Sequence, residues 1–140
     1  MKKREKWTCP DCERSFKHPN QWHSCTTQTL EKHFEGKSLE VKELFDELVK
    51  ALASDLVFTL TPLKSEIYLR AESNFVAIYV RKEHLVIEFA NGLPFMEERI
   101  HRTQQISKSL YIHHVKIRSH HDIDEQFLGW INEAYELTGK

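Results

Sequence analysis

Three cysteines and one histidine near the start of the chain have the types and the spacing of zinc ligands. Cys9 and Cys12 are separated by two residues, so the turn between them aims both sulfur atoms at one point. His23 and Cys25 follow after a spacer of ordinary zinc-finger length and add an imidazole and a third thiolate. We therefore predict one tetrahedral zinc ion bound by Cys9, Cys12, His23 and Cys25.

The identity of the fourth zinc ligand is open, because His18 and His33 lie within similar reach of the cysteines, but we favour His23. A complete set of three cysteines and one histidine leaves no open position, which predicts a structural zinc. So short a segment also needs a metal, since a core of fewer than about 40 residues is rarely stable alone. The alternatives are a catalytic zinc and three reduced cysteines that bind no metal.

Histidines also cluster late in the chain. His113 and His114 are adjacent, and His120 and His121 precede Asp122, a mixture that suits a hydrolytic metal site. Side chains alternate between the two faces of a strand, however, so we expect His113 in the core and His114 on the opposite face. Asp122 is accounted for as a helix cap. We therefore do not predict a second metal.

The composition is that of an ordinary globular protein. Of 140 residues, 40% are hydrophobic and 29% are charged, and the formal net charge of −1 predicts no global attraction to nucleic acid or lipid. This length suits one main core with a small appendage, which we place at 29–140 and 1–28. The sequence shows no secretory leader and no run of about 18 apolar residues, and its cysteines are clustered like metal ligands. We expect a cytoplasmic protein that does not associate with membranes.

Two helices are predicted from apolar residues that recur at steps of three and four. The first begins after Ser38, a suitable N-cap, and a short helical turn at 30–34 precedes it and ends at Gly36. The last helix is predicted to begin at Asp122, with Glu125 completing a capping box. The two buried stripes are Val41, Leu44, Phe45, Leu48 and Leu52 in the first helix, and Ile123, Phe127, Trp130, Ile131 and Ala134 in the last.

Between the helices, short runs rich in β-branched and aromatic residues predict five strands joined by tight connections. The predicted strands are 56–60, 66–71, 75–81, 85–90 and 110–118. Residues 94–109 show no clean period and are predicted to be a loop or a short helix. The fold class is α+β, with a mostly antiparallel five-stranded sheet and helices packed on one face, preceded by the small zinc-binding segment.

The outward face of that sheet is predicted to carry aromatic and basic side chains. If the alternating aliphatic residues face the helices, the others form a surface on which bases stack and phosphates are neutralised. Sheets that are half exposed also use such residues for cross-strand packing, so the pattern has a purely structural interpretation too. The predicted binding residues are Tyr68, Arg70, Phe75, Tyr79, Arg81, His114, Lys116 and Arg118.

Several short motifs along the chain carry a family resemblance. In order they are Trp7-Thr8-Cys9-Pro10-x-Cys12, Asn20-Gln21-Trp22-His23-Ser24-Cys25, His33-Phe34-x-Gly36-Lys37, Leu44-Phe45, Pro62-x-Lys64, His113-His114-Val115, and Asp124-Glu125 with Ala134-Tyr135. Together they resemble the bacterial domain of unknown function 5655 over nearly the whole chain. Relatives of that family that lack the cysteine segment and follow nuclease-like domains imply an accessory module that works near nucleic acid. The resemblance also assigns His33 to the main domain, which favours His23 as the zinc ligand. Glu13 stands where a glycine often follows a cysteine pair of this kind.

Two classes of function follow from these patterns. Our leading hypothesis is a non-enzymatic, zinc-stapled binding module whose partner is single-stranded nucleic acid or a protein. The alternative is a small hydrolytic enzyme with His113, His114 and Lys64 in a pocket beside the sheet, and a third possibility is a homo-oligomer joined through the same face. The sequence does not indicate an oligomeric state.

Overall fold

The computed structural model of the protein describes residues 7–9, 15–16, 29–92, 94 and 98–139. A small hairpin pairs β1 (Trp7–Thr8) with β2 (Ser15–Phe16), antiparallel. No helix among the described residues is both long and apolar enough to cross a membrane. The main domain consists of a 3-10 helix Leu30–Phe34, α1 Leu39–Ala53, β3 Thr59–Pro62, β4 Ile67–Arg70, β5 Asn74–Val80, β6 Leu85–Asn91, β7 Ile100–Ser107, β8 Leu110–Ile117, a 3-10 helix His120–Asp122, α2 Glu125–Ala134 and a π-helical turn Tyr135–Gly139.

The main sheet has six antiparallel strands in the order β3-β4-β5-β6-β8-β7. The α+β prediction is confirmed, but the predicted count of five strands was wrong by one. The missing strand is β7, which lies within the stretch predicted to be loop or short helix. Because β7 is an edge strand, Ile100 is half-buried and its other seven residues are exposed, so the strand lacks the apolar alternation that marks interior strands.

Helix α1 forms as its sequence predicts. The Ser38 hydroxyl accepts a hydrogen bond of 3.2 Å from the Val41 N–H, which satisfies one of the free donors of the first turn. Gly36 has a φ of 71°, the left-handed conformation that reverses the chain before α1. The five predicted apolar residues of α1 are all buried.

Helix α2 begins later than predicted. Ser119 and Asp122 form a capping box around the short 3-10 helix, so Asp122 does not cap α2. The N-cap of α2 is Asp124, whose carboxylate accepts a hydrogen bond of 2.9 Å from the Phe127 N–H. Asp122 and Asp124 are both suitable helix caps. The 3-10 helix uses Asp122, so α2 starts only after Asp124.

Both helices contribute to one core on one face of the sheet. The aliphatic residues predicted to point inward are buried in a single cluster with the apolar faces of α1 and α2. The core members contributed by strands β4, β5 and β6 include Ile67, Leu69, Val76, Ile78, Val80, Leu85, Ile87 and Phe89. The opposite face, which we call the open face, carries the alternate side chains.

Phe75 corrects the predicted alternation. It is 3% exposed, and its ring contacts those of Phe58 and Tyr135 with centroids 6.0 and 5.1 Å apart. The β4–β5 pairing is irregular here, since Leu69 pairs with Val76 and Arg70 with Asn74, which leaves Phe75 as an extra residue. The strict two-residue period therefore fails at this position, and Phe75 belongs to the core instead of the open face.

Candidate functional site

The open face contains a groove of about 690 Å³ across strands β5, β6, β8 and β7, which we call the central groove. Antiparallel pairing aligns outward side chains of neighbouring strands in rows. The first row runs Tyr68, Ala77, Glu88, His114, Arg102, and the second runs Tyr79, Val86, Lys116. The remaining side chains that line the groove are Arg81, His84, His101, Gln104, Ile106 and Ile112.

Glu88 lines the groove and contacts two neighbouring side chains. Its Oε2 accepts a hydrogen bond of 3.1 Å from the Tyr79 hydroxyl, and the same oxygen is 3.1 Å from His114 Nε2. Burial and the nearby Glu88 charge raise the pKa of Tyr79, so its phenol stays protonated at neutral pH. Glu88 is the one carboxylate among the described groove residues.

Three cationic side chains line the same groove as this carboxylate. Arg81, Arg102 and Lys116 form no ion pair with any described carboxylate. The guanidinium of Arg81 lies over the Tyr79 ring, 5.5 Å from its centroid. Cations thus outnumber the one carboxylate three to one, and the groove attracts anions although the whole chain has a formal charge of −1.

Two histidines of the groove are held neutral at pH 7. Burial lowers the pKa of His101, and the charge of Lys116 lowers it further. Burial also lowers the pKa of His84, assisted by the charges of Lys116 and Arg118. Because both imidazoles are uncharged and polar, they can stack on or hydrogen-bond to a ligand without adding charge.

A smaller depression of about 210 Å³ continues the open face toward β4. Glu88 and Ile112 line both it and the central groove. Tyr68 lines it beside the apolar residues Ala77 and Ala90, and burial together with the charges of Glu66 and Glu88 raises the pKa of Tyr68. An uncharged aromatic ring beside apolar side chains suits a stacked planar group.

Four of the eight predicted binding residues meet in the central groove, namely Tyr79, Arg81, His114 and Lys116. Tyr68 lines the adjoining depression. The structure does not bring the other three into the central groove. Phe75 is buried at the bulge and lines the adjoining depression from the core, Arg70 donates to the Ser15 carbonyl at 3.1 Å, and Arg118 lines a separate depression beside Glu40, Glu43, Glu47 and Glu83.

Several groove residues were missed from the sequence. His101, Arg102 and Gln104 belong to β7, whose polar sequence did not predict a strand. Glu88 shares the alternation of Val86 and Ala90 on β6, so its place on the open face could have been predicted from the sequence.

The residues of the alternative hydrolytic site are not brought together. His113 is fully buried on the helix side, where its Nδ1 lies 2.9 Å from the Thr103 hydroxyl. His114 lines the central groove on the open face, and Lys64 lines a different depression. Within the described ranges, no group of three or more His, Cys, Asp or Glu side chains is placed to hold a metal.

The predicted zinc ligands are described in part. Cys9 directly follows β1 and is 3% exposed. Cys12, His23 and Cys25 lie outside the described residues. The zinc site therefore stays a prediction.

Comparison with known proteins identifies the family but no activity. The profile described as "Domain of unknown function (DUF5655)" matches residues 30–138, which include the whole six-stranded sheet and both α-helices. No curated protein and no solved structure matches the sequence. The chain belongs to the DUF5655 family of domains of unknown function.

Proposed function

We propose that this protein is a non-enzymatic binding module that holds single-stranded nucleic acid on its open face. The observation that carries the proposal is that Arg81, Arg102 and Lys116 line one groove with Tyr79, and that none of the three cations has a described carboxylate partner. Phosphates of a single strand supply the missing negative charges, and its unpaired bases stack on Tyr79 and on the neutral imidazoles.

The shape of the site supports a single strand over a duplex. The groove and its continuation cross the strands from Tyr68 to Arg102, with Ala77, Val86 and Ala90 as small or apolar floor positions between the polar groups. Bases that are unstacked from each other can lie flat on such a floor, whereas the bases of a duplex are enclosed in its stack. Recognition by stacking and by charge predicts weak sequence preference.

We assign the groove no catalytic step. Its one described carboxylate already accepts from Tyr79 and contacts His114, and the described lining offers neither a second carboxylate nor a thiol nucleophile. A binding role needs only the charges and ring faces that are present.

We also propose that a structural zinc ion staples the N-terminal segment through Cys9, Cys12, His23 and Cys25. The β1–β2 hairpin and the burial of Cys9 support this proposal, because a Cys-x-x-Cys pair in a hairpin connection is a frequent zinc-binding arrangement. A zinc bound this way would supply folding free energy to the segment. Reduced thiolates are also consistent with the cytoplasm.

Binding of labelled single strands tests the groove. Fluorescence anisotropy with oligo-dT and oligo-U of about 12 nucleotides, carrying 5′-hydroxyl ends, should give a micromolar Kd at about 50 mM salt. If all three free cations contact phosphates, the slope of log K against log salt should be about −2, and it should fall to about −0.7 in the Arg102→Ala, Lys116→Ala variant.

The matched control removes two positive charges elsewhere. Lys42 and Lys50 lie on α1, on the helix side of the sheet, so Lys42→Ala, Lys50→Ala should bind like the wild type. Equal binding by the wild type and the groove variant at low salt would remove the groove from the proposal. If the wild type binds no strand, a protein partner or self-association through the open face becomes the better hypothesis, and the oligomeric state is then the next measurement.

A further inference from the structure

A second basic depression of about 310 Å³ lies at one end of the sheet, and we call it the lysine pocket. The polar side chains that line it are Lys32, His33, Lys37, Lys64, Ser65 and Arg81, and none of its described lining residues is acidic. We propose that the lysine pocket binds a phosphate monoester group.

Three chain reversals build the pocket and hold it by backbone hydrogen bonds. The Leu63 N–H donates to the Glu66 carbonyl at 2.8 Å and closes the β3–β4 turn that carries Lys64. The Arg81 N–H donates to the His84 carbonyl at 2.9 Å and closes the β5–β6 turn.

The third reversal is the segment before α1. The left-handed Gly36 turns the chain back, and the Lys37 N–H donates to the Phe34 carbonyl at 3.1 Å. The Ser38 N–H then donates to the Lys82 carbonyl at 2.9 Å and fastens this segment to the β5–β6 turn. The stems of Lys37, Lys64 and Arg81 are therefore positioned together by the fold.

The lysine pocket contains four cationic side chains. Lys32, Lys37, Lys64 and Arg81 form no ion pair within the described part of the chain. Like charges that share a small depression repel each other, and an anion in their midst converts that repulsion into attraction. Lysines on exposed turns are common without any ligand, so the cluster of cations alone does not identify a binding site.

His33 distinguishes this pocket from a chance group of surface lysines. Its Nε2 is shielded from solvent and has no hydrogen-bond partner in the described ranges. A buried polar atom in this state is unfavourable and calls for a specific explanation. A ligand oxygen that accepts from His33, with the Ser65 hydroxyl nearby, provides one.

The number of cations selects the class of anion. A carboxylate or a phosphodiester carries one negative charge, which a single arginine or lysine can match. A phosphate monoester carries between one and two charges near neutral pH and presents three terminal oxygens, which suits several lysines and an imidazole donor. The pocket volume also exceeds what one phosphate group needs, so the rest of the ester can extend from it.

Two sources can supply this phosphate. Arg81 lines both the lysine pocket and the central groove, so a strand in the groove can place a terminal phosphate in the pocket, an arrangement that rests on the proposed function. A free phosphorylated small molecule is the other source. Both present the same chemical group to the same residues.

Titration of the isotope-labelled full chain with inorganic phosphate, followed by NMR at constant ionic strength, tests the pocket itself. We expect saturable shifts of the His33 imidazole and of the backbone around Lys64, which chloride at equal ionic strength does not produce. The Lys37→Gln, Lys64→Gln variant should weaken phosphate binding at least tenfold, whereas Lys50→Gln, Lys108→Gln, which removes two exposed charges outside the pocket, should not change it. Absence of the shifts, or equal phosphate affinity in the two variants, overturns the proposal.

Oligonucleotides with 5′-phosphate and 5′-hydroxyl ends then separate the two sources. Tighter binding of the phosphorylated strand, by at least threefold and only with Lys37 and Lys64 intact, identifies a strand end as the ligand. Equal binding of both strands by a protein that does bind inorganic phosphate identifies a free phosphate ester. Failure of the groove is measured separately, because the 5′-hydroxyl strand and the Arg102→Ala, Lys116→Ala variant do not involve the pocket.

Discussion

The hydroxyl of Tyr79 donates a hydrogen bond of 3.1 Å to Oε2 of Glu88, and that carboxylate lies among the cations of the central groove. The bond fixes the Tyr79 ring, and the Arg81 guanidinium covers one side of that ring at 5.5 Å. His114 Nε2 reaches the same oxygen from the neighbouring strand, also at 3.1 Å. Glu88 therefore orders the groove floor while its charge opposes the binding of an anion.

Substitution Glu88→Gln should strengthen binding of a single strand. The amide oxygen can still accept from Tyr79, but the repulsion between the carboxylate and a phosphate is removed. A charge pair at about 4 Å is worth about 1 kcal/mol in water, so affinity should rise about two- to fivefold at low salt and the gain should shrink at high salt. The control is Glu47→Gln, which removes an exposed charge on α1. Weaker binding by Glu88→Gln would mean that the ligand donates a hydrogen bond to Glu88.

Strand binding should also strengthen as the pH falls. Burial, with the charge of Lys116, lowers the pKa of both His84 and His101 below the ordinary value of 6.5, so both are neutral in the free protein at pH 7. A bound phosphate raises these pKa values. The additional affinity is therefore fully present below the histidine pKa of the free protein. It is lost as the pH rises through the histidine pKa of the complex. A rise of one unit in either pKa corresponds to about tenfold in affinity.

Anisotropy titrations across the range from about pH 5 to pH 8 measure this dependence. The His84→Gln, His101→Gln variant should bind like the wild type at the upper end and should lose most of the gain at the lower end. A wild-type affinity that is constant over this range would show that neither imidazole lies beside a phosphate.

Much of the fold could be predicted because the interior of the sheet and both helices bury one side. In α1 the buried apolar residues recur every three or four positions, and in β4, β5 and β6 they recur mostly every second position, so the sequence shows which side is buried. Strand β7 could not be found this way, since seven of its eight residues are exposed and its pairing with β8 comes from the backbone. The extra residue at Phe75 also depends on pairing with β4, which no local pattern encodes.

The sites were less predictable than the fold because they join residues distant in sequence. Alternation placed Tyr79, Arg81, His114 and Lys116 on one face, and they share the groove. Arg102 enters it only because β8 pairs with both β6 and β7. In the lysine pocket, His33 belongs to the first 3-10 helix and Lys64 to the β3–β4 turn. The hydrogen bond from Ser38 to Lys82, which fastens the segment before α1 to the β5–β6 turn, has no sequence signature.

Removal of a zinc ligand tests the proposed staple. The purified wild type should contain one zinc per chain, and Cys12→Ser or Cys25→Ser should lose it, because three remaining ligands no longer close the site. Metal analysis gives the stoichiometry directly. The main domain should keep its cooperative unfolding transition in both variants, since its core is complete without the hairpin. Zinc-free wild type with all thiols titratable would contradict the proposal.

Truncation of Trp130 tests the packing of α2 on the sheet. Trp130 is 6% exposed, and its ring stacks on that of Phe89 with centroids 6.0 Å apart. The guanidinium of Arg99 lies 5.6 Å from the centroid of the Trp130 ring. Trp130→Ala should lower the free energy of unfolding by about 3–5 kcal/mol. Leu137→Ala is the control, because Leu137 is 51% exposed and should change stability by less than about 0.5 kcal/mol. A loss below about 1 kcal/mol for Trp130→Ala in urea unfolding would contradict the packing.

Asp124 should make stability depend on pH in the acid range. Its carboxylate caps α2 and accepts from Arg99 Nη1 at 2.9 Å with each oxygen, while Arg99 Nη2 donates to the Asp122 carbonyl. Burial alone raises the pKa of Asp124, but the hydrogen bonds from Phe127 and Arg99 outweigh it, so the pKa lies below 3.8. A depressed pKa contributes stability that is present above the unfolded value and is lost as the pH falls through the folded value.

Two substitutions of Asp124 separate the cap from the charge. Asp124→Ala removes both and should lower the free energy of unfolding by about 1–2 kcal/mol at pH 7, whereas Asp124→Asn keeps the cap and should cost less than about half as much. Urea unfolding at about pH 7, 4.5 and 3 should show both variants losing less stability toward acid than the wild type does, because neither has this carboxylate to protonate.

The control Asp55→Asn changes an exposed carboxylate beyond α1 that forms no ion pair with any described residue, and it should follow the wild type. If Asp124→Asn loses stability toward acid as steeply as the wild type, the Arg99–Asp124 contact is not what lowers the carboxyl pKa.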